Sequence, residues 1–252
     1  MISFLFHNFF YQPLVNILAL LTVVIPGHDL GVSIIILTLL VNLLLLPLTR
    51  RAKRSQEKTR ELQPELDRIK KQYKGDPAKL LEAQRKLYHE NGISMSANIA
   101  QFFAFLLIQL PLFIALYRLF GAGQTFFASD LYSFMPEIPK ANTVFLGIFD
   151  LTRKAIAADR ITSPTSYPNL ILAIITTSLQ YLQGSQQRAV SKNPSEFERA
   201  FQTQAKYILP GFIFLLCVTT PAALALYWTT QSIFAIVHDK KFMRYGRANI
   251  TN

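Results

Sequence analysis

The sequence GVSIIILTLLVNLLLLPL at residues 31–48 is followed directly by TRRAKRSQEKTR at residues 49–60. The first stretch is almost uninterrupted in its apolar character and is close to the roughly 20 residues that a helix needs to cross a bilayer. Lysine and arginine favour the cytoplasmic side of short connections, so the basic residues indicate where this helix leaves the membrane. The boundary predicts an integral membrane protein whose basic residues are concentrated on the cytoplasmic side of the membrane.

The composition agrees with this interpretation. The chain is 51% hydrophobic, yet it carries 26 Lys and Arg against 15 Asp and Glu, a net charge of +11. This excess indicates an anionic partner such as lipid headgroups or RNA. The single cysteine, Cys217, lies in an apolar run, so the sequence offers neither a disulfide framework nor the spacing of metal ligands. The N-terminus lacks a basic region and a cleavage site, and we expect no cleaved signal.

Further apolar stretches predict four more spans, at residues 96–120, 167–184, 207–220 and 221–238. Residues 207–237 fit either one kinked helix or two short ones, since Thr219-Thr220-Pro221 interrupts them. Two spans are favoured because they leave 21 of the 26 basic residues on the inside. Two crossings by this stretch are short, at about 46 Å in total. Either the helices begin earlier, with Lys206 reaching back to the interface, or the bilayer is locally thin.

Residues 4–26 leave two alternatives open. They are either a sixth span or a helix that lies on the outer membrane interface. Pro13 divides the stretch and the apolar run after it is short, so we expect the interfacial helix. A sixth span would also place the N-terminus inside without a basic residue.

The expected fold is therefore an all-α integral membrane protein. It has a five-helix transmembrane core, an N-terminal interfacial helix and a cytoplasmic paired-helix hairpin, with the N-terminus outside and the C-terminus in the cytoplasm. The expected segments are the outer segment with the interfacial helix (1–29), span one (30–49), the hairpin (50–95), span two (96–120), an outer loop (121–166), span three (167–184), a cytoplasmic loop (185–206), span four (207–220), span five (221–238) and a basic tail (239–252).

The hairpin prediction rests on two groups of apolar residues at helical spacing. They are Leu62, Leu66, Ile69 and Tyr73, then Leu80, Leu81, Leu87 and Tyr88. Between the groups, Gly75 is expected to stop the first helix, Asp76 to cap the second and Pro77 to occupy its first turn. Asn91-Gly92 is expected to close the second helix. A solvated loop would explain the charges alone, but two paired helices indicate an arm that docks on a partner or on the acidic membrane surface.

No catalytic motif is found in the sequence, and we expect no catalytic residue, no cofactor and no metal site. The spans contain uncharged polar residues instead: Ser33, Thr38, Asn42, Gln101, Gln109, Thr176, Thr177, Ser178, Gln180, Thr229, Thr230, Gln231 and Ser232. Serine and threonine can bond to their own helix, so we interpret them as interhelical contacts. Amides are harder to satisfy in hydrocarbon, and several that converge would form a wet cavity. Asn42 lies near the middle of span one.

Four stretches occur together in one order. They are GVSIIILT at residues 31–38 running to Pro47-Leu48, LQPELDRI at residues 62–69 with Tyr73, Asp76-Pro77 and Leu80, QLPLFIALY at residues 109–117, and PAALALYW at residues 221–228. Together they resemble the YidC/Oxa/Alb family of membrane protein insertases. Within the hairpin, the residues that carry the resemblance are Leu62, Gln63, Pro64, Tyr73, Asp76 and Pro77.

The resemblance implies a five-helix core around a hydrophilic groove that is closed on the outside. It implies an insertase and chaperone that passes hydrophobic segments of nascent proteins into the bilayer, consuming neither nucleotide nor metal. The expected partners are nascent membrane proteins and membrane lipids, with the translocon and the ribosome as further partners and no DNA. The expected location is a prokaryotic plasma membrane.

One departure concerns the groove. Many family members carry an arginine five residues before the proline that corresponds to Pro47, whereas this chain has Asn42. We therefore expect a neutral polar groove built from Asn42 and Gln180, with Gln101 and Trp228. The alternatives are a channel or transporter and a non-catalytic assembly factor for the translocon. The charge-free middle of the spans argues against a transporter, which usually needs ionisable groups there.

Overall fold

The computed structural model of the chain describes residues 4, 6–93, 112–120, 130–136, 141–156, 166–186 and 203–248. The chain divides into two compact units. One comprises Met1–Leu43, Ile108–Gln186 and Ala205–Asn252, and the other comprises Leu44–Leu107 and Gln187–Gln204. Residues 96–111 of the expected span two lie outside the described residues, as does most of the expected cytoplasmic loop.

Most of the described residues are helical. The helices are α1 (Gln12–Val24), α2 (Leu30–Glu61), α3 (Gln63–Gln72), α4 (Pro77–Glu90), α5 (112–120), α6 (Ser166–Gln186), α7 (Leu209–Thr219) and α8 (Ala222–Ala248). A π-helical turn precedes α1 at His7–Tyr11, and another precedes α7 at Gln204–Ile208. Within the described part of the chain, two helical segments combine the length and the hydropathy needed to cross a membrane, His7–Val24 and Leu30–Arg51.

Residues His7–Val24 form one continuous helical run, so the expectation that Pro13 divides the N-terminal stretch is wrong. Pro13 lies in the first turn of α1, and the run continues through it although its missing N–H removes one backbone hydrogen bond. Asn16 fastens this helix to a distant segment: its Nδ2 donates to the carbonyl of Asp130 at 2.9 Å, and its Oδ1 accepts from the N–H of Tyr132 at 2.8 Å. One side of the run is buried, at Tyr11, Val15, Leu18, Ala19 and Thr22.

Helix α2 continues past the expected end of span one. Its start is capped by Asp29, whose Oδ1 accepts from the N–H groups of Gly31 at 2.8 Å and Val32 at 3.0 Å. Pro47 lies inside the helix, which ends only at Glu61. The expected boundary between residues 49 and 50 is therefore not a helix boundary. A proline removes one backbone hydrogen bond, but helices in membranes tolerate this loss.

In the second unit, α3 and α4 form the expected hairpin. Leu62 and Leu66, at the start of α3, pack with Leu87 and Ile93, at the end of α4, so the two helices are antiparallel. Leu81 does not join this contact: it is 62% exposed, against the expectation that it belongs to the apolar stripe.

The turns at the two ends of α4 follow local sequence chemistry. Asp76 caps α4 by accepting from the N–H of Lys79 at 3.1 Å, and this bond lowers the pKa of Asp76. Gly92 has φ +66°, and the bonds from its N–H to the carbonyl of His89 and from the N–H of Ile93 to Tyr88 form a Schellman motif. The expected cap at Asp76 and the expected helix end at Asn91-Gly92 are both confirmed.

Gly75 does not act as the expected helix stop. It is not among the glycines with a positive φ, and α3 ends at Gln72, before Gly75 is reached. The N–H of Tyr73 closes the helix by bonding to the carbonyl of Ile69 at 3.0 Å. The turn is completed without a left-handed residue, because Asp76 donates its N–H to Tyr73 at 3.0 Å.

We expect Gly92→Ala to destabilise the hairpin by about 1–2 kcal/mol, because alanine must adopt a left-handed conformation there. Gly75→Ala is the matched control, since neither glycine has an atom within 4 Å of an added Cβ. Hydrogen exchange of the α4 amides, measured on the full chain in nanodiscs, should be faster in Gly92→Ala alone. Equal protection in the two variants would contradict the assigned role of Gly92.

Residues 207–237 form two helices rather than one. Thr220 has an extended backbone, with φ −112° and ψ 167°, and separates α7 from α8. The first helical run includes the π-helical turn Gln204–Ile208, so Lys206 lies within it, as the alternative of an earlier start predicts. Helix α8 continues to Ala248, beyond the expected end of span five at residue 238.

Contacts with α6 fix the directions of these helices. Near the end of α6, the ring centroid of Tyr181 lies 5.9 Å from that of Tyr207, which precedes α7. Near the start of α6, Asn169 donates from its side chain to the carbonyl of Arg153, which also accepts from the N–H of Ala222 in α8. Helix α7 therefore begins beside the end of α6, α8 begins beside its start, and α7 and α8 run in opposite directions.

Residues 141–156, called the cap below, contain a β-hairpin that the all-α expectation missed. Strands β1 (Val144–Phe145) and β2 (Phe149–Asp150) are antiparallel. The cap also satisfies N–H groups that helices leave free in their first turn. Leu30 at the start of α2 donates to the carbonyl of Asn142 at 3.0 Å, and Ala222 donates to Arg153 at 3.0 Å. The cap thereby joins the starts of α2, α6 and α8.

Candidate functional site

Asn42, the amide expected to line the groove, is paired with a residue of α8. Its Nδ2 donates to Oε1 of Gln231 at 2.6 Å and to the carbonyl of Thr38 at 2.7 Å. Asn42 is 8% exposed, and Gln231 is half-buried. The two residues lie about 18 Å along α2 and about 14 Å along α8 from the helix starts. A polar contact thus joins the two helices deep within their apolar stretches.

The pair has hydrogen-bonding capacity to spare. The bonds to Thr38 and Gln231 use the donors of Asn42, and in the described part of the chain neither Oδ1 of Asn42 nor Nε2 of Gln231 has a partner. An amide oxygen can accept two bonds and an amide nitrogen can donate two. In hydrocarbon such groups are costly unless water or another polar group meets them. The pair is therefore suited to hold water or the backbone of another chain.

Two aromatic residues of α8 flank the pair. Trp228 lies three residues before Gln231 and Tyr227 lies four before it, so both share its side of the helix. Trp228 packs on Phe113 of α5, with ring centroids 5.5 Å apart. The hydroxyl of Tyr227 is buried and, among the described residues, has no hydrogen-bond partner. This hydroxyl adds a second unmet polar group on that side of α8.

Among the described residues, Gln180 forms no hydrogen bond with Asn42 or Gln231. Gln180 lies one turn after Thr176 on α6, and the Thr176 hydroxyl contacts that of Thr229 at 2.7 Å. Thr229 and Gln231 are two residues apart on α8, which places them roughly 160° apart around the helix. Gln101, the other amide expected in the groove, lies outside the described residues.

The hydroxyl groups mostly bond to their own helices, as expected. Each of Thr38, Thr177, Ser178 and Thr230 donates to the carbonyl four residues earlier. Thr176 also reaches across to the carbonyl of Ala225 in α8 at 3.2 Å. The contacts of Thr176 with Ala225 and Thr229 hold α6 and α8 together. The side-chain amides therefore remain as the functional candidates. Sequence reasoning counted Gln231 among the polar residues of the spans but did not identify it as the partner of Asn42.

The hairpin residues that carry the family resemblance have structural roles within the hairpin. Leu62 is in its small core, Tyr73 closes α3 and Asp76 caps α4. Gln63 is buried and donates to Asp67 at 3.3 Å, while Pro64 and Pro77 occupy first turns. Within the described residues, no group of three or more His, Cys, Asp or Glu side chains is placed to hold a metal ion.

Similarity to known proteins covers most of the chain. Residues 21–248 match the family described as 60Kd inner membrane protein. The chain is 30% identical over 229 residues to the membrane protein insertase YidC of Clostridium tetani, covering 89% of this chain and 87% of that protein. It is 27% identical over 227 residues to the protein of the same name from Clostridium perfringens, and the match covers 90% of this chain and 84% of that protein. With that of Aquifex aeolicus it shares 31% identity over 207 residues, 82% of this chain and 34% of that protein.

Proposed function

Because this chain belongs to the 60Kd inner membrane protein family and is a membrane protein insertase, we propose that Asn42, Gln231 and Trp228 form the polar surface over which it passes hydrophobic segments into the bilayer. The observation that carries the proposal is the bond between the two amides across α2 and α8. One bond between two side-chain amides leaves an acceptor on Asn42 and donors on Gln231, and these are the groups to which the proposal assigns water and substrate.

The proposed mechanism uses differences in solvation. A short polar tail that enters hydrocarbon loses its hydrogen bonds with water, which costs several kcal/mol for each unmet group, on the order of 2–7. Asn42, Gln231 and the water they hold replace part of that hydration. The apolar helix of the substrate then moves into lipid and gains about 25 cal/mol for each Å² of apolar surface removed from water. This gain releases the substrate from the polar surface.

The proposed topology has five spans, with the N-terminus outside and the C-terminus in the cytoplasm of a bacterial cell. The opposite directions of α7 and α8 support two crossings by residues 207–238. The cap joins the starts of three helices, which is expected if α2, α6 and α8 all begin at the outer face. We propose that the cap closes the groove on that side, and that α1 lies at the outer interface.

The proposed partners are nascent membrane proteins, with the translocon and the ribosome approached from the cytoplasmic side. The relatives are named membrane protein insertases, and this supports the first of these partners. The basic hairpin supports the ribosome as a partner, because residues 50–95 carry 13 of the chain's 26 basic residues. Positive charge of this kind attracts RNA and acidic lipid surfaces alike.

Reconstitution tests the function directly. The full chain in liposomes should insert a short single-span substrate several-fold faster than protein-free liposomes do, as measured by the protease-protected fraction. The liposomes need no nucleotide for this. Equal rates with and without the protein would contradict an insertase that works alone.

We expect Asn42→Arg to favour substrates with acidic tails. The guanidinium adds the positive charge that this chain lacks at the site, and it can still donate to Gln231. One additional charge pair in a hydrated site is worth about 1 kcal/mol, roughly a fivefold change in relative rate. Asn42→Gln is the control because it keeps a neutral amide. The measurement is the ratio of acidic-tail to neutral-tail insertion, and an unchanged ratio in Asn42→Arg would disprove the charge effect.

A further inference from the structure

A basic residue lies between two tyrosines where α6 ends and α7 begins. The Lys206 ammonium is 5.7 Å from the ring centroid of Tyr181 and 5.1 Å from that of Tyr207. Lys206 belongs to the π-helical turn Gln204–Ile208, and such turns occur frequently at functional sites. Tyrosine and lysine together are typical of the level at which a membrane meets water.

These three residues line an open cavity of about 520 Å³. The rest of its wall comes from α6 and α7 and includes Thr177, Ser178 and Gly211. An added Cβ at Gly211 would have no atom within 4 Å, so this side of α7 is unobstructed. The cavity is therefore accessible from the surface of the helix pair.

The charge of Lys206 is not balanced by the protein in the described part of the chain. No described carboxylate forms an ion pair with its ammonium, whose neighbours are the two tyrosine rings. An apolar strip leads away from the cavity along α6, at Leu182, Ile175 and Ile171, which are 48%, 43% and 54% exposed, and Leu182 itself lines the cavity. Residues at this spacing share one side of a helix. A positive charge at one end of an exposed apolar strip matches an amphiphile with an anionic head.

We propose that this cavity is a binding site for an anionic phospholipid. Lys206 is the counter-ion of the lipid phosphate, Tyr181 and Tyr207 flank the headgroup, and an acyl chain lies along Leu182, Ile175 and Ile171. The site requires α6 and α7 to cross the bilayer, as in the proposed topology. It does not depend on insertion activity, which is measured separately.

Acyl-chain quenching of a single tryptophan tests the proposal. Trp228 is the chain's one tryptophan, so Trp228→Phe provides a background without signal. Leu182→Trp places the reporter at the cavity wall, and Leu215→Trp places the matched control at an exposed position on the side of α7 opposite Lys206. The full chain is placed in nanodiscs of phosphatidylglycerol and phosphatidylcholine. In one sample the acyl chains of phosphatidylglycerol carry bromine, in the other those of phosphatidylcholine do, and the tryptophan quenching of the two samples is compared.

We expect the reporter at position 182 to show about a fivefold preference for phosphatidylglycerol, the effect of one basic residue at a membrane surface. The reporter at position 215 should show a much weaker preference, and Lys206→Gln should reduce the preference at 182 to that level. The same preference at both reporters, or a preference that survives Lys206→Gln, would overturn the proposal. Loss of the preference on adding inorganic phosphate at constant ionic strength would assign the site to free anions and overturn the lipid assignment.

Discussion

Gly31→Ala is expected to lower the free energy of unfolding by about 1–3 kcal/mol, the usual cost of overfilling a packed site. A Cβ at residue 31 would overlap Cβ, Cγ and Cδ2 of the Phe145 side chain. Phe145 belongs to β1 of the cap, and its ring also lies beside that of Phe149 in β2, so it has little freedom to move away. The added methyl group should push the cap from the start of α2.

Two variants control for this prediction. Gly211→Ala adds the same methyl group in α7 with no atom within 4 Å, and it should leave the unfolding midpoint nearly unchanged. Gly31→Ala combined with Phe145→Gly removes all three overlapping atoms, so the double variant should be more stable than the sum of the two single costs predicts. The measurement is the denaturation midpoint in lipid micelles. If Gly31→Ala unfolds at the same midpoint as Gly211→Ala, the close packing of the cap on α2 is wrong.

Asn42→Leu and Gln231→Leu are each expected to destabilise the protein by about 1–2 kcal/mol. Each variant leaves the other amide without its partner in an apolar setting. The double variant removes both polar groups, so its cost should be smaller than the sum of the single costs. A double-mutant cycle in the same micelles should give a coupling energy of about 0.5–1.7 kcal/mol. Strictly additive costs would contradict a direct bond between the two side chains.

The turns that depend on neighbouring residues could be predicted from the sequence. Asp76-Pro77, Asn91-Gly92 and Thr220-Pro221 act through backbone conformations and hydrogen bonds that span only a few residues, and the structure places helix boundaries at all three. Gly75 was misjudged because a glycine permits a left-handed conformation without requiring one.

Features that depend on distant contacts could not be predicted in this way. Asn42 was recognised as unusual, but its partner Gln231 lies 189 residues away, and the sequence offers Gln101 and Gln180 equally well. The attachment of Asn16 to Asp130 and Tyr132 is similarly remote. The cap was missed because its strands have two residues each, too few for an alternating pattern to appear.

Insertion by the double variant Asn42→Leu/Gln231→Leu is the most direct test of the polar surface. This variant replaces both amides with apolar side chains of similar size and leaves neither amide without its partner. A loss of activity would therefore reflect the lost polarity of the site rather than an unpaired buried amide. In liposomes with a short single-span substrate, the rate is expected to fall about tenfold from that of the unmodified chain, equivalent to about 1.4 kcal/mol. If the double variant is folded and inserts the substrate at the unmodified rate, the amide pair is only an interhelical contact and the proposed mechanism is wrong.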